Sequence, residues 1–266
     1  MIYVVPSLKA KEKLQSEGKA WAESQGFTYV LRHQRTIQDL MDEYGEDFLV
    51  YSSRGPQIDR PEGSHFFSLN MAELRIQNLR KGQRDHLLEA LMGRGSSEPP
   101  ITVLDCTCGF GADAAVASFG LPTGSRVDAL EVSPLLEAVT SWGFSHFVHK
   151  KDDVTAALRR ISLRRGDYRD YLLSDEGPVY DVLYFDPMFQ RPVEASCQFQ
   201  PVRAIMEHGG LTRDLIERAL QKARRRVVIK ERDFRQLCRD FPEAVLYGGK
   251  YSRIGYAVLE CDSWKK

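Results

Sequence analysis

The sequence predicts an open α/β fold: five parallel strands flanked by helices and finished by an antiparallel hairpin, with a small α/β domain in front. Three observations carry this prediction. Beyond Pro99-Pro100, apolar strand-like runs alternate with helical stretches, the pattern of a parallel sheet covered on both faces. The last two strand-like runs, 243–247 and 255–260, are joined by residues 248–254. A parallel crossover needs roughly a dozen residues or more, so these two runs pair antiparallel. Residues 1–63, finally, carry short strands and helices of their own.

In the N-terminal domain, taken as residues 1–63, the apolar runs 2–5, 28–31 and 48–51 predict strands. Residues 7–24 and 36–44 predict helices opening on Ser7 and Thr36 caps. Residues 52–63 hold two prolines, two glycines and several charges without periodicity, and read as a connector or mobile loop. The second domain, 64–266, opens with a strand-like 65–69 and a basic helical stretch over 70–92, broken near Gly82 and ended by Gly93 and Gly95. Strands are predicted at 101–106, 126–132, 161–165, 182–185 and 226–230, and helices at 112–118, 134–148, 152–160 and 211–225.

Lys+Arg and Asp+Glu number 37 each, so a polyanion would have to be held by a local patch rather than by net charge. No run approaches the roughly 18 apolar residues of a membrane span, and the apolar N-terminal run is too short for a secretory signal. The five cysteines are odd in number and scattered, which does not make a disulfide framework. The reading is a cytoplasmic protein without a membrane partner. Cys106 and Cys108 lack a second pair or a His at finger spacing, and the histidines show no ligand spacing, so no metal is expected. The oligomeric state is not set by any feature of the sequence.

The strongest motif is Leu104-Asp105-Cys106-Thr107-Cys108-Gly109-Phe110-Gly111-Ala112-Asp113, which leaves an apolar strand and opens a helix. Glycines permit a sharp turn and close approach of a ligand. In open α/β sheets ligands bind at the carboxyl ends of the strands, where this loop lies. Gly109, Gly111 and Ala114 also satisfy the loose dinucleotide pattern G-x-G-x-x-A. Asp105 shifts the balance, because a carboxylate serves a pyrophosphate poorly but tolerates a sulfonium with a methionine ammonium. The predicted cofactor is therefore S-adenosyl-L-methionine. Asp105 and the closing hairpin weigh against a nicotinamide-dependent oxidoreductase or a non-catalytic nucleotide sensor.

Glu131 ends the next strand, 22 residues after Gly109, at the place of a carboxylate that grips ribose hydroxyls. After the third strand, Arg165-Gly166-Asp167-Tyr168 offers an acid able to accept from an adenine amino group and an aromatic edge beside it. Acids thus recur after strands one, two and three.

The fourth strand runs through Asp181-Val182-Leu183-Tyr184-Phe185 into Asp186-Pro187-Met188-Phe189. This resembles the [DN]-P-P-[FYW] motif of enzymes that methylate exocyclic amino groups of bases, with Met188 in place of the second proline. The Asp186 carboxylate and the Pro187 carbonyl can both accept from a planar amine, and alignment of this kind supplies most of the catalysis. Phe189 can stack on an extruded base.

Residues 105–114, 130–134, 186–189 and 227–230 together resemble a bacterial family of guanine 2-amino methyltransferases acting on small-subunit ribosomal RNA. The resemblance covers residues 70–260. It implies the Rossmann-like sheet of class I methyltransferases, S-adenosyl-L-methionine as cofactor and ribosomal RNA as partner. It further implies cofactor contacts at Ala112, Asp113, Glu131, Val132, Asp167, Tyr168 and Asp186, beside the loop residues Asp105, Cys108, Gly109 and Gly111. Two features depart from the family: residues 1–63 do not match its N-terminus, and Ala112 stands where arginine is usual.

Arg75, Arg80, Lys81 and Arg84 lie within ten residues and are candidates for RNA or substrate contact, since phosphate neutralisation supplies most non-specific affinity. Lys222, Arg224, Arg225, Arg226, Lys230 and Arg232 form a second cluster that reads more readily as a solvated face. Lys230 has two readings, substrate contact or support of the sheet edge, and Met188 joins the substrate loop. The expected reaction is methyl transfer to an exocyclic amino group of a base, guanine in ribosomal RNA. The alternative is a protein substrate, such as a carboxylate, or a small molecule. Asp186 argues against a carboxylate and the balanced net charge mildly for one.

Overall fold

The computed structural model describes residues 1–93, 99–187, 210–248 and 254–264. These fall into two compact units, one holding residues 1–68 and 133–147 and the other the remaining described residues.

In the first unit, β1 (Tyr3–Pro6), β2 (Thr28–Tyr29), β3 (Phe48–Ser52), β4 (Gly55–Arg60) and β5 (Gly63–Phe66) form a sheet ordered β2-β1-β3-β4-β5. β1 pairs parallel with β2 and β3, while β3, β4 and β5 run antiparallel. The stretch expected as a connector therefore holds β4 and leads into β5, which overlaps the strand expected at 65–69. Its periodicity was hidden because buried positions of β4 are polar: Gln57, Asp59 and Arg60 are all buried. Gln57 satisfies Asp59 by donating from Nε2 to both carboxylate oxygens at 2.9 Å, as burial of polar groups requires.

The helices α1 (Glu12–Ser24) and α2 (Ile37–Tyr44) complete this part of the unit. α1 starts later than the expected Ser7, whose backbone N–H instead donates to the Tyr51 carbonyl at 2.9 Å and continues the strand pairing. Thr36 does cap α2, in a reciprocal box with Asp39. Val5, Leu40, Phe48 and Val50 form the local core.

A later helix, α6 (Pro134–His146), packs on β4 within the same unit. Gly55 adopts φ +86°, and a Cβ there would lie 2.5 Å from the Trp142 ring. Gly143 likewise admits the Phe67 ring, which would stand 1.9 Å from a Cβ. Gly55→Ala is expected to destabilise this unit by about 2–4 kcal/mol, from overpacking together with the positive φ, as read by urea denaturation.

The second unit begins with α3 (Asn70–Arg80) and α4 (His86–Met92), separated at Gly82 as expected. Then follow β6 (Thr102–Asp105), α5 (Ala112–Gly120), β7 (Arg126–Glu131), α7 (Asp152–Leu158), β8 (Ile161–Arg165), α8 (Tyr168–Leu173), β9 (Val182–Phe185), α9 (Arg213–Lys222), β10 (Arg226–Glu231), α10 (Arg235–Asp240), β11 (Val245–Gly248) and β12 (Gly255–Glu260). Each predicted strand has its counterpart. The short helices α8 and α10 were not predicted, being too brief to show a periodicity.

The sheet order is β11-β12-β10-β9-β6-β7-β8. Five strands are parallel, and β12 runs antiparallel to both β10 and β11. One core cluster joins Leu104, Leu183, Phe185, Val227 and Ile229 to Ile216 and Leu220 of α9, each side chain contributing about 1.5–3 kcal/mol by burial. The chain winds outward from β6 in both directions, so a switch point opens at the carboxyl ends of β6 and β9. Among the described residues no helix is long and apolar enough to cross a membrane.

Candidate active site

The loop after β6 is tied to the strand on either side. The Cys106 N–H donates to the Tyr184 carbonyl and that of Cys108 to the Leu130 carbonyl, both at 2.9 Å. Gly109 and Gly111 adopt φ +55° and +75°, in the left-handed region that favours glycine. Gly111 then precedes α5, whose first turn carries Ala112 and Asp113.

The acids at the strand ends are built into this loop. Asp105 is buried and accepts from Thr107 N–H at 3.1 Å. Burial, with Asp113 and Asp186 nearby, raises its pKa well above the usual carboxylate range. Glu131, buried at the end of β7 just before Val132, accepts from Gly109 N–H through Oε2 at 2.9 Å. Asp167 caps α8 by accepting from Arg169 N–H at 2.8 Å, and its carboxylate also binds the Arg169 guanidinium, Nε to Oδ1 and Oδ2 at 3.0 Å. Tyr168 is buried edge-on to Phe185, with ring centroids 5.4 Å apart.

Around Asp186 the structure gathers groups far apart in sequence. The Asp186 N–H donates to Thr107 Oγ1 at 2.7 Å, fixing the end of β9 against the glycine loop. Lys230 Nζ lies 2.7 Å from Asp186 Oδ2 and 2.8 Å from Asp113 Oδ2. Asp113 also accepts from the Tyr184 hydroxyl at 2.7 Å and from Arg75 Nη1 at 2.5 Å. Burial would raise the Asp113 pKa, but Lys230 and Arg75 outweigh it and hold the group below the usual range. Asp186 is pushed up to about 6 by burial and by the Asp113 charge, against the pull of Lys230.

Asp186, Asp105, Asp113 and Lys230 thus converge, with Pro187 following Asp186 directly in the chain. Of the first basic stretch, only Arg75 joins them. Arg80 pairs with Asp153 at 2.6 Å, Arg84 pairs with Glu89, and Lys81 is exposed. Within the second cluster Arg226 is buried at the start of β10 beside Glu260, at the opposite end of the strand from Lys230. Met188 and Phe189 lie outside the described residues. Sequence reasoning missed Thr107, Tyr184 and Asp85. A tyrosine inside a buried strand near an acid was the available signal for Tyr184, and a hydroxyl within the glycine motif that for Thr107; nothing local marked Asp85.

A five-stranded parallel sheet closed by a reversed hairpin, with a glycine loop after its first strand and an acid ending its second, defines a class I S-adenosylmethionine-dependent methyltransferase. Residues 63–255 match the family model described as "Putative SAM-dependent methyltransferase", and the chain belongs to that family. It is 29% identical to the Bacillus subtilis protein YpiP over 229 residues, covering 86% of this chain and 88% of that one. It is 31% identical over 161 residues to ribosomal RNA small subunit methyltransferase J of Thioalkalivibrio sulfidiphilus, covering 59% of this chain and 61% of the relative. The crystal structure of a SAM-dependent methyltransferase from Neisseria gonorrhoeae has a similar fold, with TM-score 0.62 at 16% identity, over 97% of this chain and 95% of the other.

S-adenosylmethionine is accordingly the cofactor, and the residues present fit it. At Gly109 a Cβ would meet only the Thr107 carbonyl, at 3.9 Å, leaving that side of the loop open to a ligand. Acids end β6 and β7 and cap α8, a set of acceptors suited to an ammonium and to hydroxyl donors rather than to a pyrophosphate.

Proposed function

We propose that this methyltransferase modifies an exocyclic amino group of a base, that of guanine in small-subunit ribosomal RNA. The observation that carries the reading is Asp186, a partly exposed carboxylate fixed at the switch point and followed by Pro187. A carboxylate and a neighbouring backbone carbonyl form an acceptor pair for a planar amine. The naming of relatives as ribosomal RNA small subunit methyltransferase J supports RNA as the substrate. When bound, the cofactor supplies an electrophilic methyl group on a sulfonium.

The rest is the work of this chain's residues. Glu131 holds the ribose hydroxyls, with Gly109 and Gly111 giving close backbone approach; Cys108, Ala112 and Val132 line the same loop and strand ends. Asp105 offers its carboxyl oxygens at the end of β6, and Asp113 lies beside it at the start of α5. Asp167 and Tyr168 border the adenine. Asp186 and the Pro187 carbonyl orient the amine, and Phe189 stacks on the base. Arg80, Lys81 and Arg84 contact RNA phosphates, with Met188 beside the base. A carboxylate substrate would be repelled by the same cluster of acids.

Glu131→Ala is expected to weaken S-adenosylmethionine binding about 10- to 100-fold, as loss of charged hydrogen bonds implies, with little change in turnover at saturation; isothermal titration calorimetry and kinetics check this. The function itself is tested with methyl-labelled S-adenosylmethionine offered to unmodified small ribosomal subunits, naked ribosomal RNA, transfer RNA and a protein extract. Label is expected in ribosomal RNA. Label confined to protein overturns the substrate.

A further inference from the structure

We propose that Lys230 is a positioning residue of this active site, holding Asp186 as the acceptor for the substrate amine while Asp113 and Arg75 hold Lys230 in turn. The inference rests on the amino-methyltransferase reading for its consequence in catalysis, but its geometry does not.

The links are continuous and each is short. Asp85 caps α4, accepting from Leu87 N–H at 3.0 Å. Its two carboxylate oxygens bind Arg75 Nε and Nη2, each at 2.8 Å. This bidentate fork fixes the guanidinium plane, and Arg75 Nη1 reaches Asp113 at 2.5 Å. Asp113 Oδ2 receives both the Tyr184 hydroxyl and Lys230, and Lys230 passes on to Asp186. The Lys230 side chain is only 13% exposed. Its compact ammonium suits a bridge between two carboxylates, where a planar guanidinium would demand a different spacing.

The surroundings explain why a cation is needed there. Glu231 on β10 and Asp113 on α5 place negative charge around Asp186, Asp105 on β6 lies beside them with burial favouring its protonated form, and Tyr184 on β9 and Tyr256 on β12 lie near the same cluster. Burial and these acids favour the protonated carboxyl; Lys230 opposes them. A protonated Asp186 would present a donor where the amine needs an acceptor. Since the parent group titrates near 6, it is mostly ionised at pH 7. Loss of Lys230 raises that midpoint, so activity at pH 7 falls and returns as the pH is raised.

The test uses the full chain with 13C-labelled aspartate carboxyls, the Asp186 resonance being identified by its absence in Asp186→Asn. In Lys230→Gln the Asp186 midpoint is expected to move up by roughly one pH unit or more, and in Lys230→Arg to stay closer to the parent. Methyl transfer to unmodified small subunits should show its acidic limb displaced in the same direction, with an approximately tenfold loss for each unit where the assay pH lies below both midpoints and a smaller one at pH 7. An unmoved Asp186 midpoint in a folded Lys230→Gln overturns the proposal. If Lys230→Gln does not fold, Arg75→Lys is read instead: a smaller upward movement supports the relay, and none overturns it. A moved midpoint in a protein whose parent form never methylates RNA supports the positioning role and removes the substrate reading.

Discussion

Asp186→Ala is expected to lower methyl transfer by about 10²–10³-fold, with S-adenosylmethionine affinity changed by less than about tenfold. Removing one group aimed at the reacting centre costs this much where alignment and local charge carry the catalysis. The effect falls on turnover because Asp186 is proposed to meet the amine, whereas Glu131 and the glycine loop are proposed to hold the cofactor. The Asp186 N–H to Thr107 Oγ1 bond uses the backbone, so the substitution leaves the end of β9 anchored. Single-turnover kinetics at saturating cofactor separates this loss from a change in affinity.

Asp113→Ala is expected to be the most destabilising change in the second unit, by about 3–5 kcal/mol, the range for removing one partner of a buried ion pair. Asp113 is buried with three donors converging on it, from Arg75, Tyr184 and Lys230. Truncation leaves Lys230 with Asp186 alone, Arg75 with Asp85 alone and the Tyr184 hydroxyl without its acceptor, in a site with little access to water. The sign of the pH dependence follows from its lowered pKa. The contribution is fully present above the unfolded carboxylate value of about 4 and is lost as pH falls through the lower folded value. Urea denaturation of parent and variant should therefore differ at pH 7 and converge in strong acid.

The parallel sheet was legible in the sequence because its strands are continuous apolar runs, and Asp105 and Glu131 stood out as candidate site acids because each ends such a run. β4 was not legible, since Gln57, Asp59 and Arg60 occupy buried positions that a polarity pattern assigns to solvent. Nor does any local signal tell that α6 packs on β4: the space for Trp142 over Gly55 exists only in the folded unit. Arg75 illustrates the same limit within the site. In the sequence it is one of four basic residues on a polar stretch, indistinguishable from Arg80 or Arg84. Only the fold turns it towards Asp85 and Asp113 while its neighbours pair at the surface.

The proposed role of Asp186, presenting an exocyclic base amine to S-adenosylmethionine, is read from the chemical position of the transferred methyl group. Unmodified small ribosomal subunits would be incubated with the protein and methyl-labelled S-adenosylmethionine, and the RNA digested to nucleosides for mass spectrometry. Label is expected on the 2-amino group of guanine, lost with Asp186→Ala. Label on a ring nitrogen, a ribose oxygen or a protein carboxylate would contradict it.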